Sequence, residues 1–474
     1  MHPTLQHDFD TFGDILQQAR DTAVSFIDSL PERSTCPALS AQQLKSGDDI
    51  LSEHGVGAET ALNDFWNKYA DGMSASAGPR YFGFVTGGGT PAAVAADWLV
   101  SVIDQNTQLN FDSVSPAIEL ATINQLKQLL GLPDEQCGSF VSGATMANVV
   151  SMAIGRQWLG KQRGIDVAQQ GLHALGPLRV LAAAAHSSSV KGLSMLGIGR
   201  DALENVATLP DSEAIDPQAL ELALQQHPDA PTLVLASAGT VNTVAFDDLP
   251  ALLKLREKYG FWLHVDAAFG GIAAASEKFA HLLEGWQQAD SITVDAHKWL
   301  NVPYDSAIQF TRQAHLALQI EVFQNHSAYL EPPKVRPDNY LHLTPENSRR
   351  FRALPVWMAL KAYGRAGLAD VMERNVELAA RFARQIEGMP GFRLLAPVTL
   401  NVVCFALDDA DGSAESVARR NRFLSLLDNA GVVRCTSTSL NGKPGMRAAL
   451  VNWMTSGHDI DLALGSLQAC RAEI

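Results

Sequence analysis

A chain of 474 residues, 46% hydrophobic and 18% charged, carries enough apolar side chain to bury a large core in two or three structural units, which excludes a mainly disordered protein. Its 36 Lys plus Arg against 51 Asp plus Glu give a net charge of -15, which opposes nonspecific attraction to nucleic acid or an anionic membrane and points to a small-molecule partner. Five scattered cysteines (Cys36, Cys137, Cys404, Cys435, Cys470) without a CxxC pair argue against a disulfide framework or a zinc site. With no basic start followed by an apolar run, and no apolar run of membrane-spanning length, the expected location is cytoplasmic.

In chain order, residues 1–80 read as an arm of helical pieces, FGDILQQARDTAVSFIDSL and AETALNDFWNKYA, separated by a polar stretch from Pro31 to Gly47. SPAIELATINQLKQLLG predicts a helix with Ser115 as N-cap, Pro116 at its first position and Gly131 as its terminator. Short apolar runs then recur (GSFVSG, LRVLAAAAH, PTLVLAS, FWLHVDAA, SITVDAH) with helical or polar segments between them. This is the pattern of a largely parallel sheet covered by helices, an α/β domain over 81–345. Beyond it, a long helical stretch, the run LNVVCFAL and a closing MRAALVNW with a helical tail predict a smaller C-terminal α+β domain over 346–474.

Ligands of parallel sheets sit at the carboxyl ends of the strands, and three polar residues fall there. His186 closes LAAAAH, Asp266 closes FWLHVD and Lys298 follows ITVDAH. Singly, each has an ordinary structural explanation: a hydrogen-bonded histidine, a helix cap, a surface lysine. Together they match what pyridoxal phosphate needs: an amine for the aldehyde, an acid beside the pyridine nitrogen and an aromatic group for the ring face. At ~3 Å and an effective dielectric of ~20, a carboxylate and a protonated pyridine attract by about 5 kcal/mol before desolvation is subtracted. Asp266 is therefore the candidate that keeps the ring an electron sink, and His186 the group that stacks on it. In SGATMANVVSMAIGRQ, a Gly/Ser/Thr turn leads from an apolar run into a helical pattern, and exposed amides at a helix start favour phosphate. The backbone of Ala144 and the hydroxyl of Thr145 are the expected contacts; a plain capped helix is the alternative.

These residues, with PRYFGF, SPAIELATINQL, HSSSVKG, AGTVNTVAFDDL, WLHVDAAFGG, ITVDAHKWLNVPYDSA and RRFRALPVWMALKAYG, resemble the group II pyridoxal-phosphate-dependent amino acid decarboxylases over roughly residues 75–405. That family includes the aromatic L-amino acid, histidine and glutamate decarboxylases. The resemblance implies an aspartate-aminotransferase-like fold (fold type I) and a homodimer with active sites between subunits. It also implies decarboxylation of an L-amino acid, aromatic or related, with Lys298 bonded to the cofactor, Asp266 at the pyridine nitrogen and His186 on the ring. It carries over His297 near the phosphate and Thr240 near the cofactor, and it matches Tyr329, in the AYL of a Pro-rich stretch, to a loop tyrosine that returns a proton to Cα.

Two departures stand out. Relatives commonly have Asn-Pro-His-Lys where this chain has Asp295, Ala296, His297 and Lys298, and an anionic Asp295 beside a phosphate would be repelled. Relatives often have consecutive threonines where Thr240 is followed by Val241 and Asn242, so the contact made there stays open. Other readings weighed were another lyase or an aldehyde-forming oxidative decarboxylase of the same fold, and a non-heme iron oxygenase using His264 and Asp266, two apart on one strand face. For the substrate, Phe84 and Tyr81 could line an aromatic pocket or simply pack in the core. Arg349, Arg350 and Arg352 could bind an acidic side chain or pair across domains.

Overall fold

In the computed structural model, which describes residues 1–39, 51–108, 113–325 and 333–474, the apolar runs assemble into one central sheet. Its strands are β1 (Gln136–Val141), β2 (Arg179–Ala182), β3 (Leu203–Asn205), β4 (Thr232–Ser237), β5 (Trp262–Asp266), β6 (Ser291–Asp295) and β7 (Ala307–Arg312). They lie in the order β1-β7-β6-β5-β4-β2-β3. From β6 to β3 every pairing is parallel, whereas β7 runs antiparallel to both β1 and β6. The mostly parallel α/β sheet anticipated from the apolar runs is present, with β3 and β7 as additions.

Strands apolar on both faces need cover on both. The helix Ala144–Lys161 provides one layer, packing Val150 and Ile154 among Val180, Leu233 and Trp262. On the other face, Ile123 and Leu126 of the helix Ser115–Leu130 join Phe140, Val265 and Ile292. That helix is capped at Val114, one residue before the expected Ser115, and ends at Gly131 in the left-handed conformation. Register brings Ser237 beside Asp266 and Asp266 beside Thr293, so β4 and β5 end level and β6 runs on to Asp295 along the same edge.

A second, antiparallel sheet of β8 (Phe392–Leu394), β9 (Val402–Leu407), β10 (Thr436–Leu440) and β11 (Lys443–Ala449) runs in the order β10-β11-β9-β8. Phe405, Phe423, Leu427, Met446 and Leu467 form its core with two helices. The long helix Ala353–Glu387 joins the two bodies: Val356 and Ala359 lie in the large core, Phe382 and Ile386 in the small one. Between them Gly364 leaves helical geometry at φ 59°, a conformation that glycine adopts without Cβ strain. The N-terminal helices Pro3–Asp10, Phe12–Ser29 and Ala58–Tyr69 contain no buried residue, and Phe26, Phe65, Trp66 and Trp98 border an open apolar groove. Among the described residues no helix is long and apolar enough to cross a membrane.

Candidate active site

A cleft of about 290 Å³ opens at this strand edge, with His186, Asp266, Lys298, Ala144, Thr240 and His297 all in its wall. Residues separated by up to 154 positions are thus brought to one place by the ends of β1, β2, β4, β5 and β6. Asp266, the last residue of β5, is held from two sides: Asn148 Nδ2 donates to Oδ2 at 2.8 Å, and the Ala268 N–H donates to Oδ1 at 3.2 Å. Asn148 is in turn fixed, its Oδ1 lying 3.0 Å from His264 Nε2, while His264 Nδ1 lies 2.9 Å from the Ser291 hydroxyl. Complete burial pushes the His264 imidazole down to about 4, so it stays neutral. With both ring nitrogens engaged, His264 orients the aspartate and has no lone pair directed at a metal, which removes the iron-oxygenase reading.

His186 is the N-cap of the helix Ser187–Met195. Its Nδ1 accepts from the Ser188 N–H at 3.2 Å, leaving Nε2 as the ring's donor, and burial holds the imidazole below its ordinary range against the pull of Asp266. The turn after β6 carries Lys298, whose side chain is 21% exposed. Glycine permits this approach: a Cβ on Gly87 would collide with the Lys298 carbonyl. Lys298 Nζ lies 3.5 Å from Asp295 Oδ2, and the same oxygen accepts from the Ala144 N–H at 3.3 Å, where the helix Ala144–Lys161 begins. The amide expected to meet a phosphate therefore meets an aspartate. Thr145, one position further along, is not part of the cleft wall.

Thr240 is anchored through Glu213. Its hydroxyl donates to Glu213 Oε2 at 2.7 Å, the Asn242 amide donates to Oε1 at 2.9 Å, and the Thr243 N–H donates to Oε2 at 2.9 Å. Burial pushes the Glu213 carboxyl up, but these bonds outweigh it and hold the group below its usual range. Of the two candidate aromatics, Phe84 lines the cleft and Tyr81 does not. The three candidate arginines are used in ion pairs: Arg349 with Glu119 at 2.8 Å, both fully buried, Arg350 with Asp97 at 2.7 Å, and Arg352 with Asp305 at 2.9 Å. Tyr329, and His326 near it, lie outside the described residues.

Among the cleft residues not anticipated, one is charged. Arg447, on β11 of the small sheet, is 6% exposed, and its Nε is buried without a hydrogen-bond partner. Burial pulls its guanidinium down to about 10, leaving it protonated. A buried cation facing a cleft without a bonded carboxylate is poised for an anionic ligand. The sequence signal was a lone Arg inside the apolar run MRAALV, which read simply as a strand.

The donor set fits pyridoxal phosphate. One amine, one carboxylate clamped by two donors, one neutral imidazole and a helix-start amide share a single cleft, and the clamp leaves Asp266 positioned rather than free to swing. Comparison with known proteins agrees. Residues 42–408 match the pyridoxal-dependent decarboxylase conserved domain. The chain is 25% identical to an aromatic-L-amino-acid decarboxylase of Bacillus atrophaeus, spanning 100% of this chain and 98% of that protein. It is 27% identical to tryptophan decarboxylase 1 of Oryza sativa subsp. japonica over 85% of this chain and 82% of the relative. A solved structure of Oryza sativa TDC with PLP and tryptamine has the same fold, with a TM-score of 0.89 at 23% identity over 98% of each chain. A family match over most of the chain, on a fold that brings the cofactor's required groups together, has one reading: the chain belongs to the pyridoxal-dependent decarboxylases, carboxy-lyases that use pyridoxal phosphate.

Proposed function

We propose that this enzyme removes the α-carboxylate of an aromatic L-amino acid, giving the amine and carbon dioxide. The observation that carries the reading is the convergence of Lys298, Asp266 and His186 on one cleft that also holds Arg447, whose Nε has no hydrogen-bond partner among the described residues. When bound, the cofactor supplies an electron-accepting ring conjugated to the nitrogen on the substrate Cα. Lys298 offers the amine that bonds its aldehyde. Asp266, clamped by Asn148 and the Ala268 N–H, favours a protonated pyridine nitrogen, and His186 holds the ring plane. The Ala144 N–H and His297 form the phosphate end, with Thr240 steadying the wall beside the ring. The bond that breaks is the one held perpendicular to the ring, so the group that grips the substrate carboxylate chooses the reaction.

Arg447 is that group. Arg447→Met is expected to raise KM by about 10- to 100-fold, the worth of a charged hydrogen bond or two, while the visible spectrum of the loaded enzyme stays as it was. Steady-state kinetics beside absorbance would show this, and an unchanged KM would assign the carboxylate elsewhere. An aromatic side chain is favoured by Phe84 and Phe269 in the cleft wall and by the aromatic substrates named for the relatives. A panel of tyrosine, tryptophan, phenylalanine, histidine and glutamate, assayed for carbon dioxide and amine, tests it. Preference for glutamate or histidine would reject the aromatic assignment.

Tyr329, which the family resemblance matches to a proton-returning tyrosine, is the proposed donor to Cα, since a phenol is an available acid where water is excluded. Tyr329→Phe should keep substrate binding and lose most amine production, with oxygen diverting product to aldehyde. Amine, aldehyde and hydrogen peroxide measured together under air decide this, and parental amine without new aldehyde would exclude the role.

The assembly proposed is a homodimer in a reducing, cytoplasmic setting. It is supported by N-terminal helices with no buried residue and by five free thiols. Sedimentation equilibrium should return twice the chain mass, and an active monomer would reject the dimer.

A further inference from the structure

The β6–Lys298 turn places a carboxylate where the proposed function needs a phosphate. Asp295 is 1% exposed, and its Oδ2 accepts from the Ala144 N–H at the start of an 18-residue helix. Its Oδ1 is buried and makes no hydrogen bond: His297 Nε2 lies 3.1 Å away but off the line a bond requires. The charged neighbours are few. Lys298 Nζ is 3.5 Å from Oδ2, and Asp305 acts on His297 from behind. His297 cannot readily take a proton, because its Nδ1 already accepts from the Ser306 N–H at 3.2 Å and would have to give up that bond to become a donor. In the free protein Asp295 therefore occupies the anion site itself, compensated by Lys298 and by the helix start.

We propose that Asp295 is an internal stand-in for the phosphate, displaced from the Ala144 amide when pyridoxal phosphate binds and retained beside it as the neutral acid, so that loading takes up one proton from solvent. This rests on the cofactor assignment above. Three changes act on the carboxylate in the same direction. It loses the amide donor to phosphate, it loses the Lys298 ammonium once that amine is engaged, and it gains a dianion as neighbour. Burial already raises its titration in the free protein, against the opposing effects of Lys298 and His297. Once protonated, the carboxyl becomes a donor that can face a phosphate oxygen, and the proton leaves again when the cofactor does.

The sign follows from linkage. A proton bound on loading makes affinity fall as pH rises, by about tenfold in Kd per pH unit between the carboxyl's titration in the free protein and its higher one in the loaded protein. Asp295→Asn keeps the shape and cannot take up the proton. Calorimetric titration of the cofactor-free enzyme with pyridoxal phosphate, in two non-amine buffers of different ionisation enthalpy, should show about one more proton taken up by the parent than by Asp295→Asn. The parent's Kd should also climb more steeply with pH. Infrared difference spectra of the parent alone should gain a protonated-carboxyl band on loading, a readout that does not depend on the variant folding. Equal proton uptake in both proteins, or no such band in the parent, would overturn the proposal. Failure of pyridoxal phosphate to stay with the protein after desalting, with no change from its free absorption, would instead overturn the cofactor assignment beneath it.

Discussion

Lys298→Ala is expected to lower turnover by at least about 10³-fold and to remove the visible absorption of the purified, cofactor-loaded protein. The side chain delivers its amine to the cleft at an effective concentration that free amines in solution do not reach, up to ~10⁵ M for well-oriented groups. Among the cleft residues it is the one that carries a primary amine. Its loss removes a bond, whereas most other cleft substitutions weaken one. The phosphate end and the Asp266 clamp remain, so noncovalent cofactor retention should survive in part. Absorbance and turnover measured on the same preparation check this, and an unchanged spectrum with retained activity would move the attachment point elsewhere.

Asp266→Ala should be nearly as damaging by a different route. A carboxylate at about 3 Å from a cationic ring nitrogen contributes up to ~5 kcal/mol in gross attraction, and with desolvation subtracted a loss of roughly 10² to 10³ in the rate of Cα bond cleavage is expected. Cofactor should also dissociate faster. The clamp allows a graded control, because Asn148→Ala removes one of the two donors that hold the carboxylate and leaves the charge in place. That change is worth about tenfold. Single-turnover rates at saturating cofactor, with cofactor release followed separately, distinguish the two variants. Equal effects would mean that orientation, rather than charge, is what Asp266 supplies.

The chemical residues were legible because they close apolar strands, and the adjacent ends of β4, β5 and β6 turn that sequence position into a shared edge. Strand β7 was harder to read. Gln309 and Thr311 interrupt its apolar pattern, yet both are fully buried between β1 and β6, where Gln319 Nε2 donates to Gln309 Oε1. A buried polar residue whose partner lies on another element looks like a solvent-facing one until that partner is known. Arg447 was missed for the converse reason: it is buried in the wall of a cleft whose other residues lie far away in the chain, which no local pattern records. What Asp295 does could not be read locally, because its partner is the Ala144 N–H, 151 positions away, and its neighbour His297 takes the tautomer that Ser306 imposes.

The loop tying Glu213 to Thr240 and Asn242 has a thermodynamic consequence. Asn242 Oδ1 accepts from the Thr438 hydroxyl of β10 at 2.5 Å, and the Thr243 carbonyl accepts from the Thr399 hydroxyl at 3.1 Å. The cleft wall is thus stitched to the small sheet that also carries Arg447. Neither body can melt alone without opening the site, so free energy gained from a ligand at the cleft is shared by both. Ligand at a hundred times its Kd adds about 2.7 kcal/mol to whatever must unfold to release it. The loaded enzyme should therefore denature as one cooperative unit, with the small molecule acting as a rivet between two sheets that share no strand.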